Sequence, residues 1–90
     1  MVGFELASPR VAGQQNMNAF LSSTDAQAAD IGVGLGLGGV YTDAGSRTPF
    51  VMLRALKDNA SSGSFSGYLS ISTRSNVEGA LVEKLRVTST

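Results

Sequence analysis

Ninety residues with seven basic and seven acidic side chains give a formal net charge of zero, and charged residues make up only 16% of the chain. With no cysteine and no histidine, the chain has neither a disulfide nor a Cys/His zinc cluster to staple it, and a chain this short buries only about 60–65% of its unfolded surface. The balanced charge offers no bulk attraction to nucleic acid or to an anionic membrane and leaves self-association unopposed, so the expectation is one domain over residues 1–90 that draws part of its stability from other copies.

The opening MVGFELASPR has no basic leader and no long apolar run, which predicts neither a signal peptide nor a membrane-inserting helix. From there the apolar pattern runs at period 2, the spacing of strands. VGFEL (2–6) alternates, ASPRVAGQQNM (7–17) reads as a loop, and NAFLSST (18–24) as a short strand. In TDAQAAD (24–30), Thr24 and Gln27 stand at capping-box spacing and the alanines favour helix, but the stretch is short enough to read as a loop with helical character.

IGVGLGLGGV (31–40) places Ile31, Val33, Leu35 and Leu37 on one face of a strand and Gly32, Gly34, Gly36 and Gly38 on the other. A glycine inside a strand costs about 0.5–1 kcal/mol relative to alanine, so a whole glycine face calls for compensation. Close approach of another backbone, from the same chain or a neighbouring subunit, would supply it, as would sharp curvature. Gly34, Gly36 and Gly39 satisfy the letters of G-x-G-x-x-G. No helix is predicted after them, and a dinucleotide site needs that helix.

TDAGSRTP (42–49) is dense in turn formers. FVMLRALK (50–57) is apolar on both faces, which predicts a strand covered on both sides. DNASSGSFSG (58–67) reads as a flexible loop, YLSIST (68–73) as a strand burying Leu69 and Ile71 and exposing Ser70 and Ser72, and RSNVEGA (74–80) as a hairpin connection. LVEKLRVTS (81–89) fits a helix face or a strand, with β-branched VTST favouring strand. The sum predicts an all-β fold: a small antiparallel β-sandwich-like domain of five to six strands.

Catalytic chemistry is sparse. Without histidine or cysteine there is no Ser-His-Asp or Cys-His arrangement. The acids Glu5, Asp25, Asp30, Asp43, Asp58, Glu78 and Glu83 form no tight motif and no calcium loop. The expectation is a non-enzyme with no cofactor and no metal. The sequon NAS at Asn59 reads as coincidence in a chain with no predicted signal peptide. Tyr41 and Tyr68 are candidate stacking platforms for a sugar. Asp43, Arg47, Asn59 and Asn76, in predicted loops, offer the hydrogen-bonding groups that would accompany them.

SGYLSISTRSNVEGALVEKLRVTST (66–90) resembles the recurring module of bacteriophage tail fibres and tailspike-like proteins. The matching positions are Gly67, Tyr68 and Leu69, then Gly79, Ala80 and Leu81, then Glu83, Lys84, Leu85 and Arg86, and finally Val87, Thr88 and Ser89. STDAQAADIGVGLGLGGVY (23–41) resembles the run that precedes that module, so the likeness spans about residues 21–90. It implies a strand at 81–89 and a structural, adhesive segment of a homotrimeric fibre in the virion, displaying loops to a host-surface polysaccharide. Such modules stand before GNVGIGT repeats and often before a self-cleaving chaperone. Neither occurs in this sequence, so no self-cleavage is expected of it. The competing expectation is a monomeric carbohydrate-binding module of a bacterial secreted protein, located extracellularly.

Overall fold

The computed structural model describes residues 3–7 and 17–90. The period-2 stretches that lie between turn formers become four strands: β1 (Gly32–Val40), β2 (Arg47–Lys57), β3 (Gly67–Thr73) and β4 (Val82–Val87). They form a single antiparallel sheet in the order β1-β2-β3-β4, a meander in which every connection is a hairpin. The fold is therefore all-β, and the ambiguous last segment is a strand.

Local chemistry fixes each connection. In the β1–β2 turn the Tyr41 amide donates to Ser46 O at 2.9 Å and the Ser46 amide to Thr42 Oγ1 at 3.0 Å. Gly45 takes φ +93° there, a value L-residues rarely adopt. The β2–β3 loop folds around a cation: Lys57 Nζ donates to Asn59 O, Asn59 Oδ1 and Ser61 O at 3.1, 3.1 and 2.8 Å. In the β3–β4 turn, Ser75 Oγ accepts from the Glu78 amide at 3.0 Å and Ser75 O from the Gly79 amide at 2.9 Å.

Register sorts the side chains onto two unlike faces. On one, Val33–Ala55–Leu69–Val87, Leu35–Leu53–Ile71–Leu85 and Leu37–Val51–Thr73–Val82 run across the sheet. On the other run Gly32–Leu56–Tyr68, Gly34–Arg54–Ser70–Arg86 and Gly36–Met52–Ser72–Glu83. Two bulges interrupt the ladders. One leaves Phe50 of β2 unpaired opposite Leu37/Gly38, and the other leaves Lys84 of β4 unpaired opposite Ile71/Ser72.

Several sequence expectations are corrected here. Strands number four among the described residues, not five to six: residues 3–7 and 17–24 run without strand pairing, since alternation alone does not make a strand when no neighbouring ladder accepts it. Val2 and most of the predicted loop at 7–17 lie outside the described residues. No second sheet packs on the first among the described residues, so the expected sandwich is a single layer, and β2 is flanked by strands on both edges but covered by a layer on neither face.

The expected burial of β3 is inverted. Ser70 and Ser72 are 0% and 2% exposed, whereas Leu69 is 37% exposed. The serines sit between the long cross-strand arms of Arg54 and Arg86, and of Met52 and Glu83. The apolar face has no such cover. Leu56 and Tyr68, the buried large side chains, also belong to the polar face.

Candidate functional site

The polar face is organised from Asp30, the residue that leads into β1. Asp30 has φ +63°, a left-handed conformation that aspartate tolerates better than most L-residues. Its amide donates to Lys57 O at 2.8 Å. This geometry brings its carboxylate to Tyr68, whose hydroxyl donates to Asp30 Oδ1 at 2.6 Å. That hydrogen bond, followed by burial, raises the Tyr68 pKa above its ordinary 10.0 because the charged phenolate would lose its acceptor and face the carboxylate.

Arg86 lies over the Tyr68 ring, 4.2 Å from the centroid, and grips Glu83 with two parallel bonds, Nε to Oε1 and Nη2 to Oε2, each 3.1 Å. The guanidinium thus stacks and pairs at once, as its flat fork allows. The Ser70 hydroxyl, closed off from solvent and without a well-formed hydrogen bond, faces the Glu83 carboxylate. That hydroxyl first, and Arg86 next, hold Glu83 below the usual carboxylate range. Glu83 in turn raises the Arg86 pKa. Near the β3–β4 turn, Lys84 pairs with Glu78 at 2.9 Å and lowers its pKa.

Chemically this is a clamp. It ties the entry to β1, the middle of the sheet and β4 together, and its carboxylates are each engaged by a hydroxyl or a guanidinium. Among the described residues no three His, Cys, Asp or Glu side chains converge to hold a metal ion.

The four candidate glycines all meet β2 of the same chain. A Cβ on Gly32 or Gly38 would lie 1.9 Å from the main-chain oxygen of Ala55 or Thr48. At Gly34 and Gly36 it would meet side chains instead, Arg54 Cγ and Pro49 Cβ, each at 3.3 Å. Thus two of the bare pleats answer a backbone and two make room for side chains.

The sugar-contact candidates fall at opposite ends of the sheet. Tyr41, Asp43 and Arg47 belong to the β1–β2 turn and its flanks, and Asn76 to the adjacent β3–β4 turn. Asn59 and Tyr68 belong to the other end. Asn59 is engaged in folding its own loop, donating to Asp58 Oδ1 at 2.7 Å and to Ser64 Oγ at 3.1 Å, and Tyr68 is buried beneath Arg86. At the first end Tyr41, Thr48, Phe50, Arg74, Ser75, Asn76 and Gly79 line a shallow concavity. There Arg74 Nη1 donates to Thr48 Oγ1 at 2.7 Å, and both aromatic rings are exposed.

Thr48 and Arg74 lie in the predicted turns at 42–49 and 74–80, but sequence reasoning missed Phe50 as a member of this end. Phe50 reads as one face of a strand, and only the bulge sets it apart, whose one mark in the sequence is the neighbouring Pro49, since a strand paired on both sides tolerates proline at a bulge. Asp30, Glu83 and Arg86 were unmarked as a cluster, because pairing register and not spacing unites them.

No family model, curated protein or solved structure matches this chain.

Proposed function

We propose that this chain is a structural and adhesive module of a bacteriophage tail fibre, assembled as a homotrimer in the virion and displaying its turns to a host-surface glycan. One observation carries the self-association. The chain exposes 7190 Å², whereas a folded monomer of 9.3 kDa exposes about 5,000 Å². Its radius of gyration is 16.2 Å against about 12 Å for a compact chain of this length. The single-layer sheet leaves part of that surface open, and the unpaired leading segment, with Phe4 80% and Phe20 78% exposed, leaves more; other copies would supply the second layer that makes the fold sandwich-like.

The excess is roughly 2,000 Å², close to the roughly 1,600 Å² that a subunit buries with two neighbours at about 800 Å² each. Low, balanced charge opposes such association little. The order of motifs from Leu21 to Thr90 supports the fibre reading, and the exposed Tyr41 and Phe50 rings beside Arg74 and Asn76 support glycan contact at one end. No cofactor, nucleic acid or membrane insertion enters the reading.

Native mass spectrometry of the chain at tens of micromolar tests it. A trimer is expected. A monomer overturns the fibre assignment, and a monomer that still binds glycans through Tyr41 makes it a carbohydrate-binding module instead.

A further inference from the structure

The concavity at the Tyr41 end holds a cation and no acid. We infer that the glycan taken at this end is anionic, its sugars bearing a carboxylate or a phosphate that Arg74 reads; this rests on the glycan contact proposed above and adds the class of glycan.

The turn and the bulge build the juxtaposition. Arg74 directly follows β3, where the chain leaves the sheet for the β3–β4 turn, and its Nη1 donates to Thr48 Oγ1 of β2 at 2.7 Å. That bond fixes the guanidinium in the same lining as the Tyr41 and Phe50 rings. The Phe50 ring lies against the bare pleat of Gly39, where an added Cβ would stand 3.7 Å from Phe50 Cε2. Two aromatic surfaces and one tethered cation therefore share the concavity.

Arg74 is set apart by having no counter-charge. Among the described residues, Arg86 pairs with Glu83 and Lys84 with Glu78, and Lys57 is held by the carbonyls of its own loop. Arg54 lies in the field of Glu83 on the polar face, and Arg47 is exposed to water outside the concavity. Arg74 is half-buried. Its hydrogen-bond partner is a neutral hydroxyl, and its Nε is closed off from solvent with no partner. The nearest acid in sequence, Glu78, is turned to Lys84 at 2.9 Å. A half-buried cation without a carboxylate carries a desolvation cost that an arriving anion offsets, and a guanidinium meets carboxylate or phosphate oxygens with charge-assisted bonds. The chain's formal net charge is zero, so the attraction belongs to this end and not to the molecule as a whole.

An array of host-surface polysaccharides tests this when it carries neutral, uronate-bearing and phosphate-bearing polymers, with copies of the uronate polymers whose carboxyls have been reduced to alcohols. The wild-type chain is expected to bind an anionic set about tenfold or more tightly than the neutral one. Loss of that advantage on reduction assigns the carboxylate, and binding confined to the phosphate-bearing polymers assigns the phosphate. Arg74→Gln is expected to lose the preference and keep the weaker binding to neutral polymers, and Arg74→Lys, which keeps the charge without the planar fork, to fall between. Arg54→Gln changes the net charge equally, mid-sheet and outside the concavity, and is expected to keep the preference. Circular dichroism melts guard against unfolding of the variants, and the native and reduced polymers give their answer with no substitution. A wild-type chain that binds neutral and reduced polymers as tightly as anionic ones overturns the anionic class and leaves glycan contact standing. A preference that survives in a folded Arg74→Gln, or falls equally in Arg54→Gln, overturns Arg74 as its reader. A chain that binds no polymer overturns both readings.

Discussion

The Tyr68 hydroxyl reaches Asp30 Oδ1 across 38 residues of sequence in a 2.6 Å hydrogen bond, and it is this bond that anchors the entry of β1 to the middle of the sheet. Asp30 holds a positive φ to make it. Tyr68→Phe keeps the ring beneath Arg86 and removes only the donor. Losing a hydrogen bond to a charged acceptor, which stabilises more than a neutral one, is expected to read as a lower urea midpoint at unchanged slope and fixed protein concentration. Asp30→Asn, which keeps the oxygen but not the charge, is expected to lose less.

The same clamp sets the pH window of stability. Glu83, through Ser70 and Arg86, and Glu78, through Lys84, have folded pKa values below the ordinary 4.5. Folding therefore favours their ionised forms. Their contribution is present above that value and is lost as pH falls through the folded pKa. Tyr68 runs the other way: its folded pKa lies above 10.0, so its contribution is present below pH 10.0 and is lost as pH rises through the folded value. Urea midpoints measured across pH are expected to form a plateau with an acid shoulder and an alkaline one. Glu83→Gln combined with Glu78→Gln should flatten the first and Tyr68→Phe the second; shoulders that persist in these variants would remove these groups as the cause.

Alternation made the four hairpin strands readable, and the turn formers at 42–49, 58–67 and 74–80 marked where they reverse. It could not say which face is covered. In YLSIST, apolar residues point one way and serines the other, yet the serines are the buried set, because cover on this sheet comes from the arms of Arg54, Arg86 and Glu83 on neighbouring strands. Cross-strand neighbours are a property of register, and register shifts at the bulges at Phe50 and Lys84; Pro49 marks the first in the sequence, and no residue marks the second. The same blindness split the sugar-contact candidates: Tyr41 and Tyr68 look alike as tyrosines near strand ends, but one is an exposed rim and the other a clamped core residue.

Glycines that look equivalent in sequence should behave differently. Gly38→Ala would press a methyl against the Thr48 carbonyl oxygen, where the available distance is 1.9 Å, and backbone cannot step aside as a side chain can. Overpacking of this kind costs about 1–3 kcal/mol. At Gly34 the methyl meets the flexible arm of Arg54 at 3.3 Å, and alanine removes about 0.5–1 kcal/mol of the glycine entropy cost. Thermal melts of the two variants at equal concentration should therefore separate, with Gly38→Ala clearly below the parent and Gly34→Ala at or above it. Equal losses would mean that the β1–β2 contact is not what demands glycine at position 38.

Under the proposed function, glycan contact belongs to one end of the sheet only. Tyr41 and Phe50 give aromatic faces, and Arg74 and Asn76 give donors, around one concavity. Asn59 lies at the far end with its amide already committed to Asp58 and Ser64. On an array of host-surface polysaccharides, Tyr41→Ala is expected to weaken binding at least tenfold, equivalent to about 1.4 kcal/mol. Asn76→Ala should weaken it by a smaller factor, since a single neutral hydrogen bond contributes about 0.5–1.5 kcal/mol net. Asn59→Ala loosens the loop around Lys57 and should leave affinity within twofold. The comparison works because the two asparagines are the same residue type in similar turns, so a loss confined to position 76 reports location and not general destabilisation. Equal losses at positions 59 and 76 would move the contact surface away from this end.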